Sequence, residues 1–124
     1  MPENTFVLKL SNGADVLTEL KKLGEEKQID YGLIVSGTGS LKDMELISNE
    51  PKGGIASLRF DSPVEMHAIS GKIQTRKGVV TVDVRVSVTG TGFTPKAGQL
   101  VHALASGSLE IGVRKVDLGK IIEA

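Results

Sequence analysis

The segment from Val79 to Thr89 carries the residues best placed to do chemistry. Its residues alternate strictly, so one face of a strand would be made of valines and the other of polar side chains that include Asp83 and Arg85. A guanidinium can clamp a carboxylate or phosphate, and a nearby carboxylate can orient the bound group or accept a proton. Two interpretations stay open: a solvated sheet face with a weak surface ion pair, or a pocket or oligomer interface.

The only dense basic cluster, formed by Lys72, Arg76 and Lys77, is a second candidate. Residues 76–78 are typical of a hairpin turn, so part of this cluster is expected at a hairpin tip. Cations at such a tip usually keep the turn solvated, and they can also bind a phosphate backbone. DNA contact through these three residues is therefore one hypothesis.

Composition disfavours several other classes of function. The chain has 15 basic and 15 acidic residues, so no overall positive field draws in nucleic acid, and any DNA contact must be local. Aromatic residues make up 3% of the chain, too few for a base-stacking surface. The absence of cysteine excludes disulfides, thiol nucleophiles and thiolate metal ligands.

The remaining polar motifs do not assemble a catalytic or metal site. His67 and His102 lie on separate predicted strands, and Glu65 is the only acidic residue at a suggestive spacing, so the sequence predicts no metal and no cofactor. Residues 36–40 and 89–92 lack the spacing of phosphate-binding loops and are predicted to be tight turns. Since no catalytic motif is present, we assign no catalytic residue and favour a binding protein over an enzyme.

Periodicity predicts the elements that position these residues. Residues 5–10 form a first strand, and a helix follows in which Asp15 is the N-cap and apolar residues recur from Val16 to Leu23. Residues 31–35 are a continuous apolar run, predicted as a strand covered on both faces and broken by the glycine-containing turn at 36–39. Strands with a period of two are predicted over residues 41–48, 55–60, 64–73, 79–89 and 100–116, the last interrupted near 106–107.

These strands follow one another without intervening helices, so the predicted fold class is α+β, with a mostly antiparallel multi-stranded sheet and one main amphipathic helix. The 124 residues fit one domain, residues 1–124. With neither a secretion signal nor an apolar run of membrane-spanning length, we expect a soluble cytoplasmic protein that does not engage membranes. Long antiparallel strands leave an edge or face exposed, and a homo-oligomer is one way to cover it.

The order of several segments resembles the PPC domain (plants and prokaryotes conserved), which is also the core domain of plant AT-hook nuclear-localised proteins. The likeness runs from about residue 6 to residue 113. Its most specific pieces are SGTGSL at 36–41, PVE at 63–65 followed by SG at 70–71, and GQL at 98–100 followed by SGSLEI at 106–111. The resemblance implies a compact α+β subunit assembled as a homotrimer.

The resemblance does not imply that this domain binds DNA directly. The plant proteins grip A·T-rich minor grooves with a separate Arg-Gly-Arg-Pro hook, and this sequence contains no such segment. What the resemblance implies for the domain itself is self-association and contact with a partner protein. We therefore expect any DNA association to go through partners.

Many prokaryotic members of the family carry histidines, in H-x-H-x-S and G-H-L patterns, that look able to bind a metal. The corresponding positions here hold Asp83, Arg85 and Ser87, and then Gln99. An arginine has no lone pair for a cation and adds a fixed positive charge, so a zinc site is not expected.

The leading hypothesis is thus a non-enzymatic homotrimeric binding or regulatory module. The alternative is a small anionic metabolite-binding protein, or an enzyme, built on Asp83, Arg85 and Gln99. In that alternative Arg85 clamps the anion, and Asp83 or Glu65 orients it or acts as a base.

Overall fold

The computed structural model describes residues 4–124 apart from the side chain of Thr91. Along the chain it contains β1 (Thr5–Leu10), α1 (Val16–Glu26), β2 (Tyr31–Asn49), β3 (Ile55–Arg59), β4 (Val64–Arg76), β5 (Val79–Thr89) and β6 (Pro95–Lys115). Short 3-10 turns at Thr91–Phe93 and Leu118–Lys120 follow β5 and β6. Within residues 4–124, no helix is long and apolar enough to cross a membrane.

Six antiparallel strands form one sheet that closes on itself. The strand order is β1-β6-β5-β4-β2-β3, and β6 pairs with β2 as well. The closed part therefore consists of β2, β4, β5 and β6, while β1 and β3 are added at its edges. The predicted α+β class, with an antiparallel sheet and one main helix, is confirmed. A closed sheet has an inner and an outer face, and the alternation of each strand decides which side chains reach the core.

Helix α1 begins where the sequence predicts. Asp15 is its N-cap, and the Asp15 carboxylate accepts a hydrogen bond of 3.0 Å from the backbone N–H of Thr18. This bond satisfies one of the free N–H groups of the first turn. Leu20 and Leu23 point into the core, so the amphipathic pattern has the expected orientation.

The core lies between α1 and the inner face of the sheet. Gly24 allows the close packing, because a Cβ at this position would lie 2.9 Å from side-chain atoms of both Ile73 and Val80. Leu109 and Ile111 of β6 are completely buried on the sheet side of the same cluster. Burial of such aliphatic side chains supplies most of the stability of a domain of this size.

The strand breaks predicted at residues 36–39 and 106–107 are wrong, since β2 and β6 continue through both. β6 also begins at Pro95 rather than at residue 100. Gly39 and Gly107 adopt φ values of 131° and 72°, and the register between β2 and β6 shifts at Gly39. A bulge of this kind bends a strand without ending it, which is what a sheet needs in order to close.

The prediction that residues 31–35 are covered on both faces is also wrong. Ile34 is 3% exposed, but its neighbours Leu33 and Val35 are 37% and 48% exposed. A closed sheet offers only one interior, so alternate residues point outward even when they are apolar. The continuous apolar run therefore marks an apolar outer face and not a doubly covered strand.

Candidate functional site

Strand β5 places its polar side chains on the outer face of the sheet, as its alternation predicts. Val84, Val86 and Val88 are 1%, 3% and 0% exposed and belong to the core. On the opposite face, Asp83 is half-buried and Arg85 is exposed. The two charged residues therefore share one face and lie about 7 Å apart along the strand, given a rise of about 3.3 Å per residue.

One row of cross-strand neighbours brings Gln99 to Arg85. Residues directly opposite each other in an antiparallel pair point to the same side of the sheet. Ser70 of β4 lies opposite Arg85, and Gln99 of β6 lies opposite Arg85 on its other side. The structure thus brings together Arg85 and Gln99, two of the residues of the anion-binding hypothesis.

A second row surrounds Asp83 with different chemistry. Lys72 of β4 lies opposite Asp83, and Leu33 of β2 lies opposite Lys72. Arg114 of β6 lies opposite Leu33, and Thr5 of β1 follows on the other side of Arg114. The carboxylate of Asp83 therefore has a cation and then an exposed leucine as successive neighbours across the sheet.

Glu65 lies at the far end of the hairpin formed by β4 and β5. It is opposite Thr89, six positions along β5 from Asp83, which is about 20 Å at the usual rise of a strand. The neighbouring His67 makes a short contact of 2.6 Å between its Nε2 and the Thr89 hydroxyl. The structure consequently does not bring Glu65 into reach of a ligand held by Arg85 and Asp83.

Three exposed apolar side chains lie on the same outer face, and we call Val7, Leu33 and Val35 the outer-face strip. Val7 is 49% exposed, similar to Val35. Val7 lies opposite Gly112, and a Cβ added to Gly112 would overlap the Ser36 hydroxyl and lie 3.7 Å from Val35 Cγ2. Gly112 carries no side chain, so Val7 on β1 and Val35 on β2 are separated across β6 by little more than the Ser36 hydroxyl. An exposed apolar patch bordered by polar residues is typical of a protein–protein contact.

Arg85 also separates two open concavities. One, of about 370 Å³, is lined by residues that include Ser70, Arg85 and Ser87. The other, of about 270 Å³, is lined by residues that include Arg85 and Gln99. A guanidinium beside hydroxyl and amide donors is a suitable environment for a carboxylate or phosphate. Asp83 lines neither space.

The basic cluster is divided between two places. Lys77 and Gly78 have φ values of 53° and 79° and form the two-residue turn between β4 and β5, so the predicted hairpin is confirmed. Arg76 and Lys77 are exposed at this tip. Lys72 is half-buried four positions back along β4, about 13 Å from Arg76, and lies beside Asp83. Two cations at a hairpin tip can make only a few contacts with the phosphates of duplex DNA.

A polar cleft around His102 has little signal in the sequence. The Nδ1 atom of His102 lies 2.8 Å from the backbone carbonyl oxygen of Asp43, and its Nε2 lies 3.5 Å from the Asp15 carboxylate. The cleft, of about 510 Å³, is also lined by Glu45 and Arg59, which form an ion pair of 3.3 Å. The N-cap prediction for Asp15 was the only available signal, because it places a carboxylate at the start of α1.

The residues on the outer face of β5 do not fit a metal ion. Asp83 is the only strong oxygen ligand among the four aligned positions, since Ser87 and Gln99 offer neutral oxygens and Arg85 offers none. The fixed charge of Arg85 would also repel a cation. Among the residues that the structure describes, no group of three or more His, Cys, Asp or Glu side chains is arranged to hold a metal. We therefore propose no metal-dependent chemistry at this face.

The fold is similar to that of several solved proteins. A candidate DNA-binding protein from Bacteroides thetaiotaomicron is 22% identical with a TM-score of 0.84, over 94% of this chain and 82% of that one. A plant- and prokaryote-conserved (PPC) protein from Pyrococcus horikoshii is 21% identical with a TM-score of 0.80, over 91% and 78%. A metal-containing protein from Archaeoglobus fulgidus is 21% identical with a TM-score of 0.78, over 90% and 78%. At these identities the likeness shows the fold alone.

The family of the chain follows from its sequence. No curated protein matches the sequence. The model of the Plants and Prokaryotes Conserved (PCC) domain matches residues 1–117, almost the whole chain, which confirms the resemblance drawn from its motifs. The chain therefore belongs to the PCC domain family, whose solved members are also called PPC proteins.

Proposed function

We propose that this protein is a homotrimeric PPC-type binding or regulatory module and not an enzyme. The observation that carries the proposal is the outer-face strip, whose three apolar side chains are 37–49% exposed in the single chain. Burying apolar surface between copies is favourable by about 25 cal/mol per Å². In a cyclic trimer each copy presents this face to a different surface of the next copy, so all three strips are covered by closure.

The mass of the native particle tests this proposal. Sedimentation equilibrium at micromolar concentration should give three times the chain mass of 13.1 kDa. The mass should stay constant over a wide range of loading concentrations, as expected for a stable assembly. A particle with the mass of one chain would overturn the proposal, and a dimer would overturn its stoichiometry.

We infer that any association with DNA goes through a protein partner. Only Arg76 and Lys77 lie together at the hairpin tip, and the chain as a whole is neutral. Direct binding through phosphate contacts weakens steeply as salt rises. Titration with duplex DNA should show no such salt-dependent binding by this chain alone, and a steep dependence that disappears in an Arg76→Ala, Lys77→Ala variant would contradict the inference.

A small anion at Arg85 is the second candidate, and the concavity lined by Ser70, Arg85 and Ser87 favours it. In this case phosphate or a small dicarboxylate should raise the thermal unfolding temperature of the wild type. Arg85→Ala should abolish the shift, because it removes the only cation in that concavity. Arg114→Ala, which removes an exposed arginine elsewhere on the outer face, is the matched control. If Arg85→Ala kept the full shift, this candidate would be lost.

A further inference from the structure

Arg85 stands in the middle of three polar side chains on the outer face, and we call Ser70, Arg85 and Gln99 the polar row. Ser70 of β4 and Gln99 of β6 lie directly opposite Arg85 on its two sides, so all three side chains point outward together. All three are exposed. Within the described part of the chain, none of these side chains takes part in a hydrogen bond or an ion pair with another residue. A guanidinium, a hydroxyl and an amide are therefore available to a ligand in one place.

The next row along the same three strands consists of small side chains, and we call Ala68, Ser87 and Ala97 the alanine row. Ser87 of β5 lies opposite Ala68 of β4 and, on its other side, opposite Ala97 of β6. Both alanines are exposed, so their methyl groups offer an apolar surface about 7 Å from the polar row. The two rows together line the concavity of about 370 Å³, a volume at the lower end of the range for small-molecule sites.

The charge around these two rows favours a monoanion. Among the described residues that line either concavity beside Arg85, Arg85 is the only cation and no residue carries a carboxylate. A phosphate monoester has nearly two negative charges at neutral pH, and one of them would stay unpaired here. An amino acid would bring an ammonium group for which these spaces offer no carboxylate. A single guanidinium and a monocarboxylate balance each other and can form two parallel hydrogen bonds.

Asp83 does not contribute to this arrangement, although it shares the outer face. Its Oδ1 atom is enclosed by its own chain and has no hydrogen-bond partner among the described residues. Asp83 lines neither concavity, and Glu65 lies at the far end of the β4–β5 hairpin. The groups left to orient a ligand on Arg85 are therefore neutral hydroxyls and amides, which recognise an uncharged oxygen of the ligand and not a second charge.

We propose that the outer face of β5 binds a small aliphatic hydroxy- or oxo-monocarboxylate, with its carboxylate on Arg85, its second oxygen beside Gln99 and its aliphatic chain over the alanine row. Side chains directly opposite each other begin about 5 Å apart, so the amide of Gln99 can donate to an oxygen that is one or two carbons from the carboxylate. The inference rests on the anion site proposed at Arg85, and it adds the class of anion that the site recognises.

Four matched compounds test this proposal by calorimetric titration of the wild-type protein as it assembles in solution. 2-Hydroxyisovalerate carries the carboxylate, the second oxygen and a branched aliphatic chain, and it should bind most tightly. Isovalerate lacks the hydroxyl and should bind about 5-fold more weakly, the effect of one lost hydrogen bond. Glycolate lacks the aliphatic chain and should bind about 10-fold more weakly, because apolar contact is lost. 2-Hydroxyisovaleramide lacks the charge and should show no measurable binding.

Two variants assign these preferences to their residues. Gln99→Ala should bind 2-hydroxyisovalerate and isovalerate equally, because it removes the donor to the second oxygen. Ala97→Leu fills the alanine row and should bind 2-hydroxyisovalerate no more tightly than glycolate. Ala56→Leu is the matched control, since it adds the same side chain to an exposed alanine of β3 that lines neither concavity, and it should keep the wild-type affinities. Circular dichroism of each variant checks that the fold is retained.

The outcomes separate this inference from the anion site on which it rests. If phosphate or a small dicarboxylate stabilises the protein through Arg85 but 2-hydroxyisovalerate binds no more tightly than isovalerate and glycolate, only the class of ligand is overturned. If no anion binds, the site and the class both fail. A Gln99→Ala variant that keeps the preference for the hydroxyl, or an Ala97→Leu variant that keeps the preference for the chain, would overturn the placement of the ligand. None of these measurements depends on the mass of the particle, so the proposed trimer is tested separately.

Discussion

Replacing Gly71 by alanine should destabilise the protein by about 3 kcal/mol or more, the size expected when a backbone clash adds to conformational strain. Gly71 lies opposite Val84 with a φ of 145°, and a Cβ there would overlap the backbone carbonyl oxygen of Asp83. β4 and β5 would have to separate beside Asp83, which would break hydrogen bonds of the ladder. Urea denaturation should show a lower midpoint with little change in slope.

Gly78→Ala is the matched control for this prediction. Gly78 also has a positive φ, of 79°, but a Cβ there would meet no atom within 4 Å. Its replacement should therefore cost only the strain of the left-handed conformation, about 1–2 kcal/mol. If Gly71→Ala were no more destabilising than Gly78→Ala, the close approach of β4 and β5 at this point would be refuted.

Val35→Lys should convert the proposed trimer into monomers while the chain stays folded. Val35 is 48% exposed in the single chain, so a lysine there can keep its ammonium group in water. Within an assembled interface the same group would be buried without a partner, at a cost of several kcal/mol for each contact. Light scattering during size-exclusion chromatography should show the mass of one chain, with the circular dichroism spectrum unchanged.

Ile55→Lys provides the control for the effect of an added charge. Ile55 is 66% exposed on β3 and does not belong to the outer-face strip. The Ile55→Lys protein should keep the mass of the wild type. Equal masses for Val35→Lys and Ile55→Lys, whether both trimeric or both monomeric, would show that the strip is not the specific contact.

The elements that could be predicted are those with a local signal. The observed bounds of β5 are the predicted ones, because the ten residues from Val80 to Thr89 alternate between valine and a polar residue with no competing pattern. Asp15 could be assigned as the N-cap because this residue follows a predicted turn and precedes a run of apolar residues at helical spacing. The turn at Lys77 and Gly78 could be predicted from the same kind of short-range information.

Closure of the sheet could not be predicted, because it depends on contacts between distant segments. Residues 36–39 and 106–107 contain the residue types that usually end strands, yet β2 and β6 continue through both, and Gly107 lies in the bulge where the register shifts between Gly39 and Ser40. Each segment alone is typical of a turn. Together they make a bulge, and sequence patterns within one segment carry no information on the other.

Like the fold, the candidate site could be predicted only where its signal is local. Alternation along β5 was sufficient to place Asp83 and Arg85 on one face, whereas the enclosure of Asp83 Oδ1 depends on the neighbouring strands. The position of Glu65 could have been inferred from the hairpin, since pairing Arg76 with Val79 carries Glu65 to the end of β5. The contact between Asp15 and His102 had no comparable signal, because it joins the start of α1 to the middle of β6.

We propose that copies of this chain cover the outer-face strip, and the water accessibility of position 35 in the native particle distinguishes a covered strip from an exposed one. The chain has no cysteine, so a nitroxide can be attached at a single introduced cysteine in Val35→Cys or, as a reference, in Ile55→Cys. We predict that a water-soluble relaxation agent reaches the label at position 55 freely and the label at position 35 poorly. Equal, free access at both positions in the labelled proteins would show that the strip is not covered.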